Sequence, residues 1–125
     1  MEERVTAEQM KKLERAANDA GLSYRQMMEN AGYQAFEAIE RRCPHPRSAV
    51  VFAGKGNNAG DGFVVARLLA ADGANVRLIL CEGDPVTEDA AFEYERLADV
   101  EIWLLDDLGA AQEAELLSCD VVVDA

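Results

Sequence analysis

The sequence predicts an α/β fold in which a mainly parallel sheet is covered by helices on both faces and preceded by two helices. Three observations carry that reading. From Ser48 onward, β-branched runs of about five residues alternate with helical stretches, as in parallel sheets buried on both sides. The first strand breaks into a glycine-rich turn, Gly54-Lys55-Gly56-Asn57-Asn58-Ala59-Gly60-Asp61-Gly62, before an apolar helical stretch. Before Ser48 the apolar residues recur only at helical spacing.

The elements follow in order. Thr6 with Gln9 is a capping-box pattern, and Val5, Met10, Leu13 and Ala17 recur at helical spacing until about Gly21. Ser23 with Gln26 repeats the capping signal for a second helix carrying Met27, Met28, Ala31, Ala35, Phe36 and Ile39. It ends at Cys43-Pro44-His45-Pro46, because proline neither donates to a helix nor continues one. Ala49–Ala53 reads as the first strand and Asp61–Asp72 as a helix closed by Gly73. Val76–Cys81 reads as the second strand, and Thr87–Ala98 as a helix capped by Thr87. Val100–Leu105, a short helix over about Leu108–Leu117, and a fourth strand beginning at Val121–Val123 complete the pattern. Right-handed crossovers should join the strands. No linker separates the leading helices from the α/β unit, so residues 1–125 read as one domain.

The net charge is −12. That disfavours nucleic acid, which needs a basic face to displace counterions. An anionic ligand must then be held by local dipoles and a bound cation against the overall field. No apolar run is long enough to span a membrane. Met1-Glu2-Glu3-Arg4 resembles neither a signal nor a transit peptide, so the expected location is cytoplasmic. Cys43, Cys81 and Cys119 lack metal-ligand or redox spacing and read as reduced structural residues.

A strand that breaks into a glycine turn and restarts as a helix leaves unpaired N–H groups at the positive end of the helix dipole, where phosphate is favoured. The turn is neither the Gly-x-Gly-x-x-Gly dinucleotide fingerprint nor a Walker A loop. It reads as a phosphate site, with a purely structural turn as the competing explanation. The side-chain carbonyls of Asn57 and Asn58 suit a hard cation and their amides suit phosphate oxygens, although asparagine also tolerates left-handed turns. Asp61 reads either as a first-turn carboxylate complementing the dipole or as a group that orients the loop or contacts a ribose hydroxyl. Asp124 ends the fourth strand. If that strand neighbours the first, Asp124 faces the asparagines and becomes a candidate cation ligand or acid/base group. Lys55 reads as a phosphate partner or a solvated lysine, Asn30 as a cap or loop brace, and His45 as a surface residue. The acidic run Glu82–Asp89 reads as a solvated loop.

Three motifs then resemble one family. They are Met28-Glu29-Asn30-Ala31-Gly32, the loop from Gly54 through Gly62 continuing to Phe63-Val64 and Ala66-Arg67, and Asp120-Val121-Val122-Val123-Asp124-Ala125. Together they are similar to the YjeF N-terminal domain, the NAD(P)HX epimerase family. The resemblance implies a Rossmann-like three-layer α/β/α fold, interconversion of the R and S hydrates of NADH and NADPH, and a bound potassium ion. It implies that Asn57, Asn58, Ala59, Gly60 and Asp61 contact the hydrate, and that Asn58 and Asp124 ligate potassium. Asp124 is the only acid/base candidate it offers. A homodimer and a dehydratase partner are further implications. In the family, a glycine-rich loop and an Asp-x-Pro-Ser-Gly segment follow Asp124-Ala125 and complete the site. Neither lies within this sequence, so it reads as the N-terminal part of the domain, truncated after its fourth strand. The alternative function is a non-catalytic Rossmann-like module that binds a nucleotide or, like relatives in mRNA-decapping scaffolds and apolipoprotein-binding proteins, another protein.

Overall fold

The structure is a computed structural model that describes residues 6–125. Val5 and the Met1–Arg4 leader reading lie outside the described residues. The elements are α1 (Ala7–Asp19), α2 (Tyr24–Arg42), β1 (Ser48–Ala53), α3 (Asn57–Ala71), β2 (Asn75–Leu80), α4 (Glu88–Glu95), β3 (Val100–Leu104), α5 (Ala110–Leu117) and β4 (Val121–Asp124). A single 3-10 turn, Leu105–Asp107, connects β3 towards α5. The four strands form one parallel sheet in the order β3-β2-β1-β4. None of the described helices is long and apolar enough to cross a membrane.

Helix starts follow the capping chemistry. Thr6 and Gln9 form a complete capping box on α1. Ser23 accepts from the Gln26 backbone, but the Gln26 side chain donates to Asn30 Oδ1 at 2.9 Å, so this box is only half made. Asn30 Oδ1 is thereby engaged within its own helix. Thr87 caps α4 through the Ala90 N–H.

Strand alternation sorts the side chains between the two faces. Ala49, Val51, Ala53, Val76, Leu78 and Leu80 turn to one face and form the core with Phe63, Ala66 and Leu69 of α3 and Ala90 of α4. Helix α2 lies over α3, and a Cβ at Gly32 would stand 2.5 Å from Val64 Cβ, so the two backbones touch at a glycine. Val50, Phe52 and Val122 turn to the other face, where they line a shallow apolar cavity together with Leu108, Leu116 and Leu117. Arg77 ties that face to α5 through Glu115 at 2.6 Å.

The structure corrects one boundary that matters for function. Helix α3 begins at Asn57, four residues before the predicted Asp61, with extended Gly56 as its N-cap. Asparagine and glycine are poor helix formers, so local propensity places the start too late. Packing decides otherwise: at Gly60 an added Cβ would sit 2.3 Å from Met28 Sδ and 3.3 Å from Ala90 Cα. The α2 and α4 walls admit only a glycine there, and they hold the first turn in helical form. Asn57 and Asn58 therefore do not occupy left-handed turn positions. Among the described non-glycine residues only His45 and Asp99 have positive φ. Asp61 is likewise not a cap or first-turn residue, since it lies in the second turn.

Candidate functional site

The parallel pairing of β1 with β4 builds the site. Phe52 is in register with Asp124, the Ala125 N–H donates to Phe52 O at 2.8 Å, and the Gly54 N–H donates to Ala125 O at 2.9 Å. The carboxyl end of β4 thus lies beside the start of the glycine turn, as the strand order requires. Gly62 permits the approach from above: a Cβ there would meet Ala125 Cβ at 2.5 Å and Val51 Cγ1 at 3.3 Å. Because α3 starts at Asn57, the N–H groups of Asn57 and Asn58 occupy positions with no intrahelical acceptor and open ahead of the helix. Ala59 N–H folds back onto Gly56 O at 3.1 Å.

Three cavities meet at this point. One of about 450 Å³ is bordered by Asn58, Asp61, Gly62, Val123, Asp124 and Ala125. Another, of about 360 Å³, lies over the turn and includes Gly54, Lys55, Gly56, Asn57, Asn58 and Glu82. A smaller one of about 130 Å³ runs under α1 and α2 and includes Glu14, Tyr24, Met27, Asn57, Asn58 and Asp61. Asn58 borders all three, and Asp61 borders two.

The site residues predicted from sequence therefore separate into two groups. Asn57, Asn58, Asp61 and Asp124 border the cavities, with both asparagines and Asp124 exposed. Ala59 is buried and reaches the cavity over the turn only at its edge. Gly60 is buried against Met28 and Ala90, so its part is to let the helix begin there. Lys55 borders the cavity over the turn. His45 is on the surface, where Nδ1 meets Asp72 at 3.1 Å, far along the chain from the turn. All three cysteines are free.

Burial, and then the charge of Glu14 on α1, push Asp61 up to about 6. Asp124 is exposed at the strand end. Behind the site, Glu93 is fully buried, and among the described residues its Oε2 has no hydrogen-bond partner, the Arg67 guanidinium standing 3.9 Å away. Burial, its hydrogen bond with Glu29 and the Glu29 charge push Glu93 up to about 7, against the pull of Arg96 and Arg67. Burial also raises Glu29, but the hydrogen bond with Glu93 and the charges of Arg67 and Arg96 outweigh it and hold Glu29 low. Arg67 contacts Glu29 at 2.8 Å, and Arg96 contacts Glu29 and, at 3.3 Å, Glu93. This network locks α2, α3 and α4 together beneath the turn. Glu29 and Arg67 stood in the sequence motifs, yet nothing in the sequence pairs them with Glu93.

Residues 24–125 match the family described as YjeF-related protein N-terminus. The chain belongs to that family. It is 40% identical to the NAD(P)H-hydrate epimerase of Rhodobacter capsulatus, in an alignment covering 100% of this chain and 61% of that protein. It is 37% identical to the bifunctional NAD(P)H-hydrate repair enzyme Nnr of Escherichia coli, covering 95% of this chain and 23% of that protein. The crystal structure of yeast ynu0 superposes with a TM-score of 0.66 at 29% identity, covering 78% of this chain and 43% of the yeast chain. This family member thus spans less than two thirds of the length of these relatives.

Proposed function

We propose that this chain acts in the repair of hydrated nicotinamide cofactors, interconverting the R and S forms of NADHX and NADPHX. The observation that carries the reading is the juxtaposition of the Asn57-Asn58 helix start with Asp124 through the β1–β4 pairing. The 40% identity to a protein named NAD(P)H-hydrate epimerase supports it. The pyrophosphate would lie on the free N–H groups of Asn57 and Asn58, at the positive end of the α3 dipole. The hydrate ring would enter the cavity between Asn58, Asp61 and Asp124, with Ala59 and Gly60 supporting that wall from behind.

The chemistry asks little of the protein beyond placement and one proton. In the hydrate, the hydroxyl sits on the carbon next to the ring nitrogen. The nitrogen lone pair expels it as water once a proton is supplied, leaving an iminium-like cation. A water molecule then adds to the opposite face and releases a proton, which gives the other epimer with all atoms balanced. Two carboxyls border the cavity, Asp61 from α3 and Asp124 from β4. One can give the proton, the other can take it, and an ionised carboxylate stabilises the cation.

Potassium fits this donor set. Asn58 and Asp124 border the same cavity and offer a side-chain carbonyl and a carboxylate, both hard oxygen donors. Bound there, the ion supplies positive charge that offsets the repulsion between the phosphates and a chain of net charge −12. A cytoplasmic location, a homodimer and cooperation with a dehydratase belong to the same proposal.

The test follows R-to-S conversion of NADHX and of NADPHX by NMR, with and without potassium. Potassium-dependent acceleration that Asp124→Ala abolishes supports the reading. A folded protein that leaves the spontaneous rate unchanged overturns it in favour of a binding module.

A further inference from the structure

The run Glu82–Asp89 reads from sequence as a solvated acidic loop, and the structure gives its first residue a different place. Glu82 follows β2 and turns its carboxylate back onto the glycine turn, where a Cβ built on Gly54 would stand 2.9 Å from Glu82 Oε1. It borders the cavity over the turn together with Lys55, Gly56 and Asn57. The connection that carries it is anchored: the Cys81 N–H donates to Ala53 O at 2.9 Å and the Val86 N–H to Lys55 O at 3.0 Å.

The sheet order β2-β1-β4 places Glu82 and Asp124 on opposite sides of the turn. Strands lie about 4.8 Å apart, so these two ends are separated by about 10 Å. That span suits the two halves of a dinucleotide whose pyrophosphate crosses the helix start between them. Asn58, which borders the cavities on both sides, marks the crossing.

We infer that the substrate lies with its adenosine end over β2 and its hydrated ring over β4, and that Glu82 accepts a hydrogen bond from the ribose 2′-hydroxyl, selecting the hydrate of NADH over that of NADPH. The inference rests on the epimerase reading above for the identity of the substrate. The physical reason is general. In open α/β dinucleotide sites an acidic group at the end of the second strand receives the 2′-hydroxyl, whereas an arginine accommodates a 2′-phosphate. Among the described residues Lys55 is the one cation bordering this cavity, and it belongs to the turn under the pyrophosphate. A 2′-phosphate would stand beside the Glu82 carboxylate, with Asp84 close behind in sequence, and like charges in apposition cost affinity.

The test compares kcat/KM for (R)-NADHX and (R)-NADPHX in the wild type, Glu82→Gln and Glu82→Arg, alongside calorimetric titration with ADP-ribose and its 2′-phosphate. The wild type should favour NADHX by about tenfold or more, E82Q should bring the ratio near one, and E82R should invert it. Glu82 is exposed, and an unchanged circular dichroism melt confirms that each variant folds. Equal wild-type handling of the two hydrates, or a ratio unmoved by E82Q, overturns the inference. If neither hydrate turns over, the epimerase reading falls, and the two titrations decide the inference alone. Binding of ADP-ribose in preference to its 2′-phosphate, lost in E82Q, then sustains it, and equal or absent binding ends it.

Discussion

On one face of the sheet, Phe63, Val64, Ala66 and Leu69 of α3 are fully buried, and Gly32, Gly60 and Gly62 leave no room for a methyl group. On the other face α5 has no buried residue, and Leu117 and Val122 remain 88% and 64% exposed. The difference shows where geometry is enforced. The face that carries the helix start is packed to the backbone from three sides, by α2, α4 and β1. The α5 face is joined mainly through Arg77 and a shallow apolar contact.

Substitutions should expose that asymmetry. Phe63→Ala should lower stability by about 3–5 kcal/mol, the usual cost of emptying a buried aromatic site. Leu117→Ala, on the opposite face, should stay within about 0.5 kcal/mol. Equilibrium urea unfolding of both variants measures the contrast, and similar losses would erase the distinction.

Gly62→Ala sharpens it further. The new methyl must displace Ala125 or Val51, an overpacking worth about 1–3 kcal/mol. Since Ala125 follows Asp124, the proposed epimerase activity should show a kcat that falls more steeply than the stability loss alone accounts for. Parallel kinetics and melting of this variant check the claim.

The buried network gives a pH-dependent version. In the folded state Glu93 is raised from the ordinary 4.5 to about 7. Its stabilising protonated form is fully present below the unfolded value and is lost as pH rises through the folded one. The melting temperature should therefore fall between about pH 5 and pH 8, and Glu93→Gln should flatten that slope. Glu29, held low, acts in the opposite sense and only at more acid pH.

The smallest effect belongs to α1, which has no buried residue. Thr6→Ala removes a cap worth about 1 kcal/mol to that helix. Hydrogen exchange should speed up over α1, while global unfolding stays unchanged.

Much of this was legible in the sequence, for identifiable reasons. Strands β1 and β2 were plain because β-branched runs ended in glycine turns, and α1, α2 and α4 announced themselves through Thr6, Ser23 and Thr87. The neighbouring of β1 and β4, on which the role of Asp124 depends, was a conditional expectation that the topology meets. The start of α3 was not legible, because the residues that force Asn57–Gly60 into helix, Met28 and Ala90, are distant in the chain. Glu82 was hidden in an acidic run whose composition suggests only solvation. Glu93 was hidden among ordinary helix-surface glutamates, although its arginine partners come from two other positions in the chain.

The central claim is that Asn58 and Asp124, from two separate elements, serve one ion and one reaction. A double-mutant cycle on potassium-dependent epimerisation of NADHX tests it most directly, with Asn58→Ala, Asp124→Ala and the pair compared in one assay. If the two act as a unit, the double variant should be no slower than the slower single one, because the first removal already disables the site. Independent, multiplying losses, or a potassium response that survives in both single variants, would contradict the account.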